Sequence, residues 1–379
     1  MERGQEAKID LKALRHNLRA VKSLAGGAVI AVVKADAYGH GAVEVSKVLE
    51  EEGIFALAVA YASEARALRQ AGIKSRLLVL FDEEPGPFFD LDLLPVIHSL
   101  KSARRFSREA GKRGRQIDVH VKVDTGMGRM GLCGNECVHD ILEIASLPGL
   151  RLNGLMSHFS EAHPEGLDFA RLQLERFGSL RRDLAARGIN PFAHISSSAS
   201  ALLFPEAAMD ALRVGLLLYG VYPFEAASGG FGAASSGFRT VSDGVKRPDS
   251  GFKPVMEVRT RIMLVKRVGK GQPVSYDRTF VTRRRSTLAA IPVGYADGYS
   301  RAFSNRACAL VRGQRAPVAG RVCMDVTMLD ATGIKGVSEG DDVVLLGGGL
   351  SSRELAEWAG TNPYEVLTSL GKGARRRFE

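Results

Sequence analysis

The stretch AVIAVVKADAYGHGA, residues 28–42, runs the aliphatic residues Val29, Ile30, Val32 and Val33 into Lys34, with a tyrosine, a histidine and two glycines behind it. Such an apolar run suits a strand buried on both faces. A lysine closing that strand gives up hydration, which depresses its pKa and makes the amine nucleophilic. A Schiff-base lysine for pyridoxal phosphate needs this environment, whereas a solvated surface lysine is the ordinary alternative. A second candidate is TGMGRMG, in which Gly126, Gly128 and Gly131 spell G-x-G-x-x-G directly after a strand-like run. Those are the letters of a dinucleotide-binding fingerprint. A working fingerprint opens the first βα unit, and the next strand ends in a ribose-binding acid. Here the motif follows the fifth strand-like run, Arg129 stands where pyrophosphate must approach, and the next run ends in Ser157, His158 and Phe159. Nicotinamide chemistry is disfavoured. Cys133 and Cys137 have the spacing of half a zinc site, but no second Cys or His pair matches them, so no metal is expected.

These residues need elements to position them. From residue 28 to about 220, strand-like runs at 29–35, 54–60, 76–81, 93–98, 117–124, 150–159, 192–198 and 211–220 alternate with amphipathic stretches such as VEVSKVLEEEG and SEARALRQAG. Alternation of this kind calls for a parallel sheet with helical crossovers. About eight strands fit an α/β fold of the (β/α)8 TIM-type barrel, whose active site lies at the C-terminal strand ends. A doubly wound open sheet is the alternative. Residues 225–252 are rich in Gly and Ser and read as a linker or insertion. Beyond them PVMEVRTRIMLVKRV, STLAAIPVGY, ACALVRG, VTMLD and DDVVLLG read as strands, and a helix pair, SSRELAEWAG and NPYEVLTSLG, closes the chain. The expected domains are a barrel over 10–224, the insertion at 225–252, and a mainly β C-terminal domain over 253–379 with which residues 1–9 can pack.

The 379 residues are 45% hydrophobic and 25% charged, enough for a sizeable core. No apolar run approaches the roughly 18 residues of a membrane span. The N-terminus MERGQEAKIDLKALRHNL has no apolar h-region, so no secretory signal is read and a cytoplasmic protein is expected. The four cysteines do not form a disulfide framework for a chain this size. The formal charge of +10 is spread along helix-like stretches such as 101–115, with only a short tail cluster at Arg375–Arg377. That pattern reads as solvated helix faces, so neither nucleic acid nor membrane is an expected partner.

AVVKADAYGHG resembles the cofactor-lysine motif of the alanine racemases, the fold-type III, pyridoxal-phosphate-dependent amino-acid racemases. KVDTGMGRMG (122–131), LMSHFS (155–160), VSYDRTF (274–280), IPVGYADGYSR (291–301), GRVCMDVTMLD (320–330) and NPYEV (362–366) follow in that family's order and at about its spacings. The resemblance runs from about residue 6 to 370 and is interrupted only at the Gly/Ser-rich insertion. It implies a barrel followed by a β domain, and pyridoxal 5'-phosphate as the cofactor.

Roles follow residue by residue from the resemblance. Lys34 would carry the cofactor and serve as one catalytic base, and Tyr276 would be the second base, on the opposite face of the α-carbon. Tyr38, Ser198, Gly215 and Tyr364 would donate to the cofactor phosphate. His158 would flank the pyridine ring and hold Arg213, which would face the ring nitrogen. Because an arginine stays charged, that nitrogen would remain unprotonated and transamination would be suppressed. Arg129 would contact the phenolic oxygen and, with the Met324 backbone N–H, receive the substrate carboxylate. Tyr295 and Tyr364 would narrow the entrance, and Lys122 matches a lysine that some members carbamylate. The family shares its sites across a dimer interface, so Tyr276 and Met324 would serve the partner chain.

Ser197 stands where an asparagine is usual, Val214 where a proline is common, and Asp277 where a glycine follows the tyrosine. None of these touches the lysine, the arginines or the tyrosine. The expected activity is the interconversion of L- and D-alanine for peptidoglycan. The alternatives are a racemase of another small amino acid such as serine, or a decarboxylase of the same fold type. A non-enzymatic pyridoxal-phosphate homeostasis protein is a lone barrel, and the C-terminal domain with Tyr276 argues against it.

Overall fold

The computed structural model describes residues 4–134, 136–163, 166–224 and 251–379; the Gly/Ser-rich insertion lies outside them except for its last two residues. The chain divides into two compact units, one of Met1–Leu14, Ala35–Val45 and Lys253–Glu379, the other of Arg15–Lys34 and Ser46–Phe252.

After β1 (Glu6–Ile9), which belongs to the first of these units, the chain builds the second from β2 (Ala28–Val32), β3 (Ala56–Val59), β4 (Leu77–Val79), β5 (Leu94–Ile97), β6 (Ile117–Lys122), β7 (Leu150–Met156), β8 (Phe192–His194) and β9 (Ala211–Val214). Strands β2 to β8 lie in sequence order, each parallel to the next, and β9 lies beside β2. The ring closes between β8 and β9, where Asp210 N donates to Ala193 O (3.1 Å) and Arg213 N to Ser196 O (3.2 Å). Closure settles the choice between barrel and open sheet: the unit is a (β/α)8 barrel. Strands β3 and β4 are buried at every position, because helices cover one face and the barrel interior the other. Strand β6 differs: IDVHVK brings His120 and Lys122, two residues apart and so on one face, into a buried position. Gly154 of β7 makes room for His120, since a Cβ there would lie 2.5 Å from the imidazole ring.

In the other unit, β1 sits between antiparallel Met256–Arg261 and parallel Arg375–Phe378 in a six-stranded sheet. A three-stranded sheet of Leu264–Val268, Ser286–Ile291 and Thr327–Asp330 and a two-stranded ribbon of Pro273–Val274 with Phe280–Val281 complete the mainly β domain. The sequence reading ended the chain on its helix pair, Ser352–Ala359 and Pro363–Gly373; the structure adds Arg375–Phe378 as a strand. This edge strand pairs on one side only and is nearly all arginine, so no apolar alternation announces it. Among the described residues, no helix is long and apolar enough to cross a membrane.

Candidate active site

The first difference from the sequence reading lies at the lysine itself. Strand β2 stops at Val32, and after Val33 the residues Ala35 (φ 53°), Asp36 (57°), Ala37 (54°) and Tyr38 (51°) form a left-handed turn that starts at Lys34. Each non-glycine residue in that region costs about 1–2 kcal/mol, so the turn is strained and must be held from outside. In the barrel unit the Lys34 amine is mostly buried. Burial lowers its pKa, the positive charges of Arg129 and Arg213 lower it further, and Glu64 opposes them. The ring of Phe81, just beyond β4, collects three cations: Lys34 Nζ at 5.6 Å, Lys122 Nζ at 5.9 Å and the Arg129 guanidinium at 5.8 Å from its centroid. An aromatic face is attractive to each of them. Lys122, at the end of β6, is pushed down to about 8, chiefly by burial and then by Arg129 and Arg213.

The glycine-rich loop that delivers Arg129 is shaped from within. Asp124 Oδ1 accepts from the backbone N–H groups of Gly126 (2.8 Å), Met127 (2.7 Å) and Gly128 (3.1 Å), and Oδ2 from that of Arg129 (2.8 Å). Burial alone would raise this carboxyl's pKa; the four N–H donors outweigh it and bring it below the ordinary value. Gly131 has φ 126°, and a Cβ there would come within 2.8 Å of Asp124 N. The G-x-G-x-x-G letters therefore describe a loop wrapped around its own aspartate.

Arg213, on β9, is 5% exposed and held at both ends of its guanidinium. Nη1 donates to His194 Nδ1 (2.6 Å); Nη2 donates to His158 Nδ1 (3.0 Å) and Ser157 O (2.8 Å). An arginine always donates, so the His194 Nδ1 must accept, which leaves Nε2–H to donate to His120 Nδ1 at 2.9 Å. Burial, reinforced by Arg213, lowers the pKa of His158 and His194 far below the usual histidine value and that of His120 to about 4. Three neutral imidazoles thus orient one buried cation. At the next strand end Ser198 Oγ accepts from Gly215 N (3.0 Å) and Leu217 N (3.4 Å), so these two candidate residues are hydrogen-bonded to each other. Val214 continues β9 opposite Ala31, and Ser197 N donates to Ser200 Oγ (2.6 Å).

The remaining candidates lie in the other unit. Tyr38 and Tyr364 pack with ring centroids 5.6 Å apart. Tyr276 (67% exposed), Met324 (53%) and Tyr295 (42%) stand out among exposed large apolar side chains. One backbone stretch organises all three: Ser275 Oγ donates to Arg321 O (2.6 Å), Tyr295 N to Cys323 O (3.0 Å) and Ala296 N to Met324 O (3.0 Å). Asp277 turns to Arg321 (3.3 Å), with its backbone at φ 59°. A glycine would adopt that backbone without strain, and an exposed ion pair contributes only about 0–1 kcal/mol. Asp277→Gly is therefore expected to change unfolding stability by less than about 1 kcal/mol, read as a melting temperature within a few degrees of the parent protein. A larger loss would mean that the ion pair holds the tyrosine loop.

Sequence reasoning missed Phe81, Asp124, His120 and His194. Asp124 and His120 had a signal, the first as the acid preceding the glycines and the second as the i−2 neighbour of Lys122; Phe81 had none beyond lying at a strand end.

Residues 9–223 match the family described as "Alanine racemase, N-terminal domain" and residues 255–378 the one described as "Alanine racemase, C-terminal domain". An alanine racemase of Thermodesulfovibrio yellowstonii is 44% identical over 387 aligned residues, which span all of this chain and 98% of that protein. The solved alanine racemase of Clostridium difficile 630 superposes with a TM-score of 0.89 at 31% identity, covering all of this chain and 96% of its own. That from a D-cycloserine-producing Streptomyces lavendulae gives 0.89 at 32%, covering all of this chain and 98% of its own.

Proposed function

The chain belongs to the alanine racemase family, and on that footing we propose that it interconverts L- and D-alanine with pyridoxal 5'-phosphate carried on Lys34, acting as a cytoplasmic homodimer that supplies D-alanine for peptidoglycan. The observation that carries the reading is a partly buried lysine of depressed pKa that shares one barrel mouth with Arg129 and a histidine-held Arg213.

The donor set suits the cofactor. Lys34, Lys122, Arg129 and Arg213 leave the mouth rich in positive charge, and the buried Nδ1 of His98 has no partner among the described residues. An anionic guest with several acceptors answers the charge; His98 Nδ1, left as an acceptor because Nε2–H donates to Leu80 O (2.7 Å), would take a donor. Bound there, pyridoxal phosphate supplies an electron sink for the charge left on the α-carbon when its proton departs. Lys34 exchanges the proton on one face of that carbon, and Tyr276 of a second copy exchanges it on the other. Arg213 would face the ring nitrogen and, having no proton-accepting site, would moderate the sink and limit proton return to the wrong carbon. Arg129 and the Met324 N–H receive the substrate carboxylate. By the family resemblance, His158 would flank the ring, Tyr38, Ser198, Gly215 and Tyr364 would hold the phosphate, and Tyr295 with Tyr364 would restrict the entrance.

The deciding experiment is proton NMR with L-alanine in D2O, paired with chiral analysis. Loss of the α-proton signal together with accumulating D-alanine is expected. Inversion of serine but not alanine would move the substrate assignment. No exchange by protein with confirmed bound pyridoxal phosphate would overturn the racemase reading.

Lys122 extends the proposal. An amine held near pKa 8 keeps a neutral, reactive fraction at physiological pH, as carbamate formation with carbon dioxide requires, and the carbamate charge would orient Arg129. The same shift has a consequence without carbon dioxide. Between about 8 and the ordinary 10.5 the unfolded chain binds more protons at this site than the folded one, so its contribution to stability rises with pH there. At about 1.4 kcal/mol per pKa unit, cofactor-free Lys122→Met should exceed the parent protein in stability by a few kcal/mol at pH 7. That gap should close by about pH 10 in denaturant melts under carbon-dioxide-free buffer. A gap that does not change with pH would assign the effect to packing.

A further inference from the structure

We propose that Arg376, on the final strand, is a positioning residue for Lys34: it clasps the left-handed turn that begins at the lysine. The role rests on the reading of Lys34 as the cofactor lysine. Arg376 Nε donates to Gly39 O (2.8 Å) and Gly371 O (3.2 Å), and its Nη2 pairs with Asp36 Oδ2 (2.6 Å). The other carboxylate oxygen of Asp36 accepts from Ala42 N (2.7 Å), so one arginine ties both ends of the turn to the helix that follows it. Within the turn Gly39 N donates to Ala35 O (3.1 Å) and Gly41 N to Asp36 O (3.0 Å).

The C-terminal segment also fits the turn sterically. A Cβ on Gly41 would lie 2.7 Å from the Phe378 ring, and one on Gly39 would lie 2.6 Å from Leu367 O. The need for a clasp comes from the sequence. Ala-Asp-Ala-Tyr is unexceptional in a right-handed conformation, and nothing local selects the left hand over four consecutive non-glycine residues. The turn is thus an element with two accessible hands, and a contact that satisfies only one of them sets the direction in which the chain leaves Lys34 and arrives at Tyr38. Arginine suits the task because its planar fork reaches a carboxylate and carbonyls at once, which a lysine's single ammonium does less well. The Arg376 side chain is 21% exposed, so water competes little for these bonds.

The test compares Arg376→Met, Arg376→Lys and, as a control on the exposed face, Arg377→Met. Hydrogen–deuterium exchange over residues 35–42 of the cofactor-free protein, the dissociation constant for pyridoxal phosphate, and kcat and KM for alanine are read together. If the competent hand falls to roughly a tenth of the population, apparent cofactor affinity falls about tenfold. Arg376→Met is expected to show that loss, faster exchange confined to the turn, and a lower kcat at little-changed KM. Arg376→Lys should recover part of each, and Arg377→Met should match the parent protein. Parent-like exchange and cofactor affinity in Arg376→Met would overturn the proposal, as would faster exchange spread over the whole chain. Should Arg376→Met not fold, Asp36→Asn weakens the same clasp from the other side and is read identically. If the parent protein and Lys34→Ala hold the cofactor equally well, the reading of Lys34 fails, whereas exchange in the turn still reports on the clasp.

Discussion

Lys34→Ala is expected to lose racemisation by more than about 10⁴-fold, because on the proposed mechanism both covalent attachment and one proton-exchanging base would be removed together. Its visible absorbance with pyridoxal phosphate should become that of freely dissociating cofactor. The structure makes this a sharper experiment than the motif alone. Lys122 is a second lysine of lowered pKa, more deeply buried than Lys34, and both amines lie within 6 Å of the centroid of the Phe81 ring. Borohydride trapping followed by peptide mapping separates them. Label on the Lys34 peptide of the parent protein, absent from Lys34→Ala, is the expected outcome. Label that persists on Lys122 would reassign the cofactor amine.

Tyr276→Phe should lower kcat by about 10²–10⁴-fold, the range for loss of a general acid–base, while cofactor binding and absorbance stay intact. One base remains, so α-proton exchange in D2O should outlast inversion. The tyrosine is 67% exposed in the single chain and sits on a loop fixed to the 321–324 stretch, as suits a side chain presented to a second copy. Co-refolding Tyr276→Phe with Lys34→Ala then makes a mixed dimer with one whole site, and random pairing returns roughly a quarter of parent activity. No recovery in a mixture with confirmed subunit exchange would count against a shared site.

The barrel was legible because its strands are buried on both faces: β2, β3 and β4 are short, nearly pure aliphatic runs, and each of the eight strand-like segments overlaps a barrel strand. The division into barrel and β architecture was likewise visible in the change of texture after residue 225. What stayed hidden depends on contacts distant in sequence. The left-handed turn at 35–38 is imposed from residues 371 and 376, more than 300 positions away, so no local pattern encodes it. Strand β1 and the final strand are four residues each and rely on pairing with each other. Within the site, motif order pointed to Lys34, Arg129 and Arg213 and to His158 as a partner of Arg213, which the structure pairs at 3.0 Å, but not to the other groups that hold them. His194 reads as an ordinary strand-end histidine until β9 brings Arg213 beside it. The glycines of 126–131 carry the letters of a nucleotide fingerprint, which their place in the chain already disfavours, and the use they have instead, wrapping Asp124, is visible only in the structure.

The imidazoles around Arg213 also fix what a pH titration of this protein can report. Free histidine changes charge between about pH 5 and 8. Here His98 and His120 are held near 4, and His158 and His194 lie well below the ordinary value. The histidines of the barrel are therefore electrically silent across the neutral range, and Lys122, held near 8, is the lining group that loses charge toward the top of it. A bend in the rate profile within that window is a signal from Lys122 or from the groups that exchange protons with substrate, and one that survives in Lys122→Met comes from the latter.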